Sequence, residues 1–476
     1  MIQASAEECV DLPFLSAGQM AKQVAKRELS SVELAQTHLA RIEQLQPKLN
    51  AFVHIDAEGA LASARAADAA IARGDALGPL HGVPLTIKSA VDVAGWPCET
   101  GSRLRAGNIA QSDATLVRRL KKAGAILLGN TNVAEMLMAY ESDNLLYGRT
   151  SNPWDLSRTA GGSSGGESAA ISAGCSAGGV GSDGGGSIRV PAHFAGICGL
   201  KPTPGRIPAS GHFPVSTGPF AQMGVVGPMA RTVADVELLA EVMAGLDDGD
   251  VKSTPLAWRR VGDQEARQLR IGVFEDDGVA PVTPETRAAV QAAANALVEQ
   301  GFTVEPFRPN SLEAMREMWW FFFGVCVNHV LRPMYDEREA DISPPLRAFF
   351  ERAGSDPPLS SSSLLSAWFT RDALTLALRR QMERFPILVC PVASGPAFAH
   401  GQGGWAPPAL NYSEAMRYCQ WFNLTGNPGA VVPAGRSPEG LPIGVQIVAR
   451  HHRDEEALAV ARAIQRATGG FQRPPL

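Results

Sequence analysis

The chain has 476 residues, 45% hydrophobic and 19% charged, and its 43 basic against 48 acidic side chains leave a formal charge of −5. That composition suits an ordinary soluble globule with a substantial core, and excludes a globally disordered chain, a polybasic nucleic-acid binder and a polybasic membrane-binding protein. The seven cysteines are scattered, odd in number and without Cys-x-x-Cys spacing, so neither a secreted disulfide scaffold nor a zinc finger is expected.

The opening MIQASAEECVDLPF has acids where a signal peptide has Lys or Arg, and no apolar h-region follows, which points to the cytoplasm. Two helices are expected in the first fifty residues. Ser16 caps the first, which runs to about Glu28; Ser31 caps the second, with Val32, Leu34, Ala35, Leu39 and Ile42 at helical spacing and Pro47 as its stop. Ala-rich helix continues over 57–73. Short apolar runs of strand type follow at 83–87, 125–128, 271–274, 387–391, 430–433 and 443–449, separated by helical stretches at 114–123, 233–244, 284–299 and 454–467. Strands alternating with helices over the whole length predict an α/β fold with a mixed, mostly parallel central sheet covered by helices on both faces. The polar segment 246–256 and the Pro/Ser-rich segment 343–363 read as surface insertions in one domain. Between them, Met318 to Leu331 (MWWFFFGVCVNHVL) is too short to span a bilayer and contains Asn328 and His329; it reads as a buried helix or pocket wall, with docking on a membrane surface as the alternative.

Residues 160–187, AGGSSGGESAAISAGCSAGGVGSDGGGS, concentrate glycine, which is favoured where the backbone needs φ > 0 or a close approach. A helix is expected over 167–174. A flexible linker would not carry Ile171 and Val180 and lead straight into the apolar run 188–200. No phosphate-loop pattern is present. Two hydrolase readings remain. The frames around Ser163 and Ser164 each satisfy G-x-S-x-G, the nucleophile elbow of α/β-hydrolases, which needs a downstream acid and a base such as His329, His400, His451 or His452. The other reading uses a serine beside backbone donors with a lysine base. A binding or assembly subunit without catalysis is the non-enzymatic alternative.

The segments 82–88 (GVPLTIK), 129–132 (GNTN), 151–154 (SNPW), 161–166 (GGSSGG), 181–189 (GSDGGGSIR), 196–203 (GICGLKPT) and 440–446 (GLPIGVQ), in this order, strongly resemble the amidase signature family. The resemblance covers nearly the whole chain. It implies a single amidase domain over 1–476, a catalytic core at 80–206 and a variable substrate-cap region at 246–415. It also implies a Ser–cis-Ser–Lys triad on Ser187, Ser163 and Lys88, with the Gly162–Ser163 peptide cis, and no metal or cofactor. Ser187 would be the nucleophile, Ser163 the bridge and Lys88 the base. A free lysine near pKa 10.4 is protonated at neutral pH, so burial must lower it; Val83, Leu85 and Ile87 suit a desolvated site.

The amides of Gly184, Gly185, Gly186 and Ser187 would form the oxyanion hole, and Gly184 stands where many relatives carry a larger residue. Ser164 would either hydrogen-bond within the triad or serve the loop. Asp183 and Arg189 are expected as an ion pair holding that loop. Cys175 and Cys198 read as small packing residues and His193 as structural. Leu137, Met138, Ala139 and Tyr140 align with a segment that lines the acyl pocket in relatives. The implied function is hydrolysis of C–N bonds in apolar aryl or acyl amides, with esters and carbamates (a urethanase activity) as further acyl substrates. The partners would be a small-molecule substrate and no nucleic acid, in a monomer or homodimer. The family also includes the glutamine-hydrolysing subunit of tRNA-dependent amidotransferases. Beyond Asp247 this chain departs from that subunit, and Trp319 to Phe323 offer apolar walls rather than a grip for a charged glutamine.

Overall fold

The computed structural model describes residues 11–215, 217–402 and 412–476. The first ten residues, on which the cytoplasmic expectation rests, and residues 403–411 of the expected cap region lie outside the described residues.

In chain order the strands are β1 (Phe52–Ile55), β2 (Pro84–Lys88), β3 (Ile126–Thr131), β4 (Ser151–Asn152), β5 (Asp155–Thr159), β6 (Gly178–Asp183) and β7 (Cys198–Lys201). They continue with β8 (Val225–Ala230), β9 (Arg270–Val273), β10 (Thr303–Pro306), β11 (Ile387–Pro391), β12 (Gly429–Arg436) and β13 (Pro442–Ala449). β4 and β5 pair with each other, and the other strands form one 11-stranded sheet in the order β1-β3-β2-β6-β8-β7-β12-β13-β11-β9-β10. The sheet is mixed, and parallel pairing is confined to β3-β2-β6 and β11-β9-β10. Its middle is antiparallel because short connections force reversal, as between β12 and β13, where the chain turns at 437–441.

Helices cover both faces. Along β11, Ile387 and Val389 join one buried apolar cluster while Leu388 and Cys390 join the other, the alternation of a strand buried on two sides. The first cluster packs helices 17–25, 115–122, 233–243, 284–299 and 454–468 against the sheet. The second is rich in aromatic rings from Leu312–Trp320, Pro344–Gly354 and Arg417–Leu424. Within 246–415, β9, β10 and β11 extend the central sheet, the helix Pro284–Glu299 packs on the first face, and Leu312–Trp320, Pro344–Gly354 and Ser361–Arg384 cover the second.

Several local expectations shift. Ser30, not Ser31, caps the second helix by accepting from Glu33 N, and Pro47 lies inside that helix, which ends at left-handed Asn50. The first helix ends at Ala25. The segment 343–363 is not all irregular: Pro344–Gly354 is a helix, with proline in the first turn where no intrahelical donor is lost. β6 and β8 are absent from the sequence reading because glycine and proline inside them argue against strand. The glycines of β6 answer to packing: a Cβ on Gly179 would collide with the Glu167 carboxylate and the Thr86 carbonyl.

β2 and β6 run parallel side by side, so Lys88 and Asp183, their last residues, end at the same edge of the sheet. In open α/β sheets that carboxyl edge is where ligands sit.

Candidate active site

Lys88 has no solvent exposure, and its Nζ lies 2.7 Å from Ser163 Oγ, 2.8 Å from Ser164 Oγ and 2.9 Å from Ser182 Oγ. An ammonium donates to all three hydroxyls; a neutral amine donates to two and accepts from the third. Burial lowers the Lys88 pKa to about 7, against the opposing fields of Asp183 and Glu167. Glu167, buried on the neighbouring helix Gly165–Ser172, accepts from Thr86 and Thr131 hydroxyls, and burial raises its pKa to about 7.

The Gly162–Ser163 peptide is cis. Gly161 enters this turn at φ +87°, a conformation that excludes most side chains. Ser142 clamps the turn from outside: its hydroxyl donates to the Ser163 carbonyl (3.2 Å) and accepts from the Gly165 amide (2.9 Å).

Ser163, Ser182, Asp183, Gly184 and Ser187 share the wall of one cavity of about 460 Å³. Ser187 is 8% exposed. The loop that carries it is fixed from beneath by Asp183. One carboxylate oxygen accepts from Gly186 N (2.8 Å), Arg189 Nη2 (2.9 Å) and Asn423 Nδ2 (3.0 Å); the other accepts from Arg189 Nε (2.9 Å) and Ile188 N (3.2 Å). Burial alone would raise the Asp183 pKa, but the Arg189 guanidinium holds it well below the usual carboxylate range. The same carboxylate raises the Arg189 pKa against the effect of burial. Asp183 and Arg189 therefore form a fully buried ion pair under the loop.

This geometry alters one expectation about the oxyanion donors. The amide of Gly186 is turned onto Asp183, while those of Gly184, Gly185 and Ser187 have no hydrogen-bond partner among the described residues. The loop carbonyls are held as well: Gly184 O accepts from Trp319 Nε1 and Gly185 O from Tyr140 Oη, both at 2.9 Å. Gly186 has φ +126°, and a Cβ there would meet Cys419 at 3.0 Å.

Leu137 and Met138 lie on the cavity wall; Ala139 and Tyr140 do not. Their backbone packs against Gly162, where a Cβ would meet the Ala139 carbonyl at 2.6 Å, and the Tyr140 ring is directed at the loop. The rest of the wall is mostly apolar, with Phe213, Phe220, Phe323, Val327, Leu331 and Met334, and His212 and Thr217 are its polar members. Phe323 and Trp319 stack at 4.6 Å, and a π-helical turn over Phe321–Cys326 carries Phe323. Such turns recur at functional sites because they re-aim a side chain.

None of His329, His400, His451 or His452 lines this cavity. His400 is bonded to Glu141 and to the Leu156 carbonyl. His193 bridges the Gly444 amide and the Gly395 carbonyl, and burial lowers its pKa to about 4. Cys175 and Cys198 are buried thiols. Among the described residues no three His, Cys, Asp or Glu side chains are grouped as a metal site requires.

The sequence reading missed Ser182, Ser142, Asn423 and the anchoring role of Trp319. Ser182 lies in a glycine-rich segment that does not read as a strand, and it meets Lys88 only because β2 and β6 lie side by side. Asn423, some 240 residues from Asp183 in sequence, carried no local signal.

A model of the amidase family matches residues 33–458. This chain belongs to the amidase signature family. It is 34% identical over 497 residues to the A subunit of the glutamyl-tRNA(Gln) amidotransferase of Salinispora arenicola (strain CNS-205), covering 98% of this chain and 100% of that one. It is also 34% identical over 466 residues to an acylamidase of Rhodococcus erythropolis, covering 95% of each. A crystal structure of a bacterial aryl acylamidase of the same family superposes with a TM-score of 0.84 at 28% identity, over 95% of this chain and 96% of that one. The protein is thus an amidase signature amidohydrolase with the family's large mixed sheet. Among the described residues, no helix is long and apolar enough to cross a membrane.

Proposed function

We propose that this amidohydrolase acts alone on small apolar aryl or acyl amides, and also on the corresponding esters and carbamates, through an acyl-enzyme on Ser187. The observation that carries this reading is the placement of Lys88 Nζ 2.7 Å from Ser163 Oγ beneath a cavity that presents Ser187 among apolar side chains. Neutral Lys88 takes the Ser163 proton as Ser163 takes that of Ser187, and Ser187 Oγ bonds to the carbonyl carbon. The oxyanion is received by the amides of Gly184, Gly185 and Ser187; loss of one such donor typically costs about 3 kcal/mol. The proton then returns through Ser163 to the leaving nitrogen as the C–N bond breaks. Water repeats the relay in reverse and releases the acid.

The test is hydrolysis of a p-nitroanilide series with matching p-nitrophenyl esters and an aryl carbamate, by wild type, Ser187→Ala, Ser163→Ala and Lys88→Ala. The reading requires amide cleavage that Ser187→Ala abolishes and the other two variants impair severely. Near-normal turnover by Lys88→Ala would overturn the mechanism.

A second reading, as the glutamine-hydrolysing chain of an amidotransferase, draws support from the equal identity to an acylamidase and to the Salinispora amidotransferase chain. The apolar cavity weighs against it, since glutamine's α-ammonium and α-carboxylate need charged partners. Glutaminase activity dependent on added partner chains, with no cleavage of anilides by the lone protein, would favour this second reading.

A further inference from the structure

A second cavity, of about 400 Å³, is polar where the first is apolar. The two share the Gly218–Gln222 turn, with Gln222 on the wall of one and Phe220 on the wall of the other. Arg371, Thr375 and Arg379 stand at four-residue intervals on the helix Ser361–Arg384 and so share one face. His451 and His452, which follow β13, and Thr203 face them across the cavity.

The cations here are poorly neutralised. Arg371 is 9% exposed; its Nε donates to the Leu424 carbonyl (3.1 Å) and its Nη1 to Asp372 (2.9 Å). The Asp372 side chain is 71% exposed, so water screens that pair. Arg379 Nε donates to His451 Nδ1 at 3.3 Å, and no carboxylate pairs with Arg379 among the described residues. Fully buried Lys201, whose own pKa burial lowers to about 7, adds to the positive field at His451 when protonated. The nearby acids are engaged elsewhere: Asp454 accepts from the Thr203 backbone and hydroxyl, and Glu455 pairs with Arg206 at 2.7 Å. Burial, then Arg379 and Lys201, hold the His451 pKa down at about 3, as expected where positive potential is uncompensated.

We propose that this cavity is an anion site, in which a small ligand bearing a phosphate or carboxylate group is held between the guanidinium groups of Arg371 and Arg379. Guanidinium forks match planar or tetrahedral oxyanions, and charge-assisted bonds of this kind are about twice as strong as neutral ones. The site is separate from the catalytic residues and stands whether or not the proposed hydrolysis is correct.

The test is calorimetric titration of the whole protein with inorganic phosphate, and separately with acetate, at ionic strength held constant with chloride. Saturable binding of either anion is expected, with phosphate favoured if the ligand is tetrahedral and acetate if it is a carboxylate. Arg379 is exposed, so Arg379→Gln should fold, keep its melting temperature without anion, and weaken binding about tenfold or more. Arg371→Lys provides a second variant that keeps the charge but loses the fork, and should also weaken binding. In wild type, the anion should raise the His451 pKa seen by NMR. No saturable binding of either anion into the tens of millimolar, or unchanged affinity in Arg379→Gln, would overturn the proposal.

Discussion

Trp319 Nε1 donates a 2.9 Å hydrogen bond to the carbonyl oxygen of Gly184, across 135 residues of sequence, and so ties the aromatic wall of the cavity to the loop that presents Ser187. The Trp319 ring also lies where a Cβ on Gly185 would have to go. The loop's amides are aimed partly by a side chain from outside the glycine-rich core. Trp319→Phe keeps the ring and deletes the donor. A net hydrogen bond is worth about 1 kcal/mol, so kcat on an anilide should fall about fivefold with little change in KM. An unchanged kcat would mean the loop holds its geometry without this anchor.

The depressed pKa of Lys88 fixes the sign of two pH effects. The base must be neutral, so kcat/KM should rise about tenfold per pH unit below about 7 and level off above it. Stability runs the same way. The folded pKa lies below the unfolded value of 10.5, so between about 7 and 10.5 the unfolded chain binds the extra proton and this group's contribution to folding improves as pH rises. Lys88→Met should flatten that rise in melting temperature between pH 7 and 9. A pH–rate profile without an inflection near 7 would remove Lys88 as the titrating base.

Breaking the Asp183–Arg189 pair leaves one buried charge alone, a change that typically costs about 3–5 kcal/mol. Asp183→Asn should therefore melt well below wild type and lose activity as Gly186 loses its anchor. Because the folded pKa of Asp183 is depressed, its contribution is present above the unfolded value of 3.8 and is lost as pH falls through the folded one. The double variant Asp183→Asn/Arg189→Met should be less destabilised than the sum of the two single changes. Additive losses would show that the pair is not coupled.

Gly184 tests whether the cavity limits substrate size. A Cβ there would sit 3.2 Å from Phe323 Cε2, so Gly184→Thr pushes against the wall. Its kcat/KM should fall more for a long acyl anilide than for an acetanilide, by about tenfold in the ratio, and Phe323→Ala should restore part of the loss. Equal losses on both substrates would place the acyl group elsewhere.

The sequence alone determined the elements whose signal is local. Helices at 57–73 and 284–299 and the strand at 387–391 match the structure residue for residue, because apolar periodicity and turn residues bound them on both sides. The ordered motifs also identified the family and singled out Lys88, Ser163 and Ser187; Ser163 and Ser187 share one cavity wall, and buried Lys88 lies 2.7 Å from Ser163 Oγ. What the sequence could not give depended on approach between distant segments. β6 reads as a loop until Glu167 and Thr86 are seen pressed against Gly179, leaving no room for a side chain. Ser182 becomes a partner of Lys88 only when β2 and β6 lie side by side. Gly186 was grouped with the free amides, yet its N–H points at Asp183, because φ +126° turns it there and Asn423 and Arg189 hold that carboxylate in place. Tyr140, which aligned with a pocket segment, faces the loop instead of the cavity. Periodicity encodes which residues are buried along one element; which buried groups meet is decided by the packing of elements far apart in the chain.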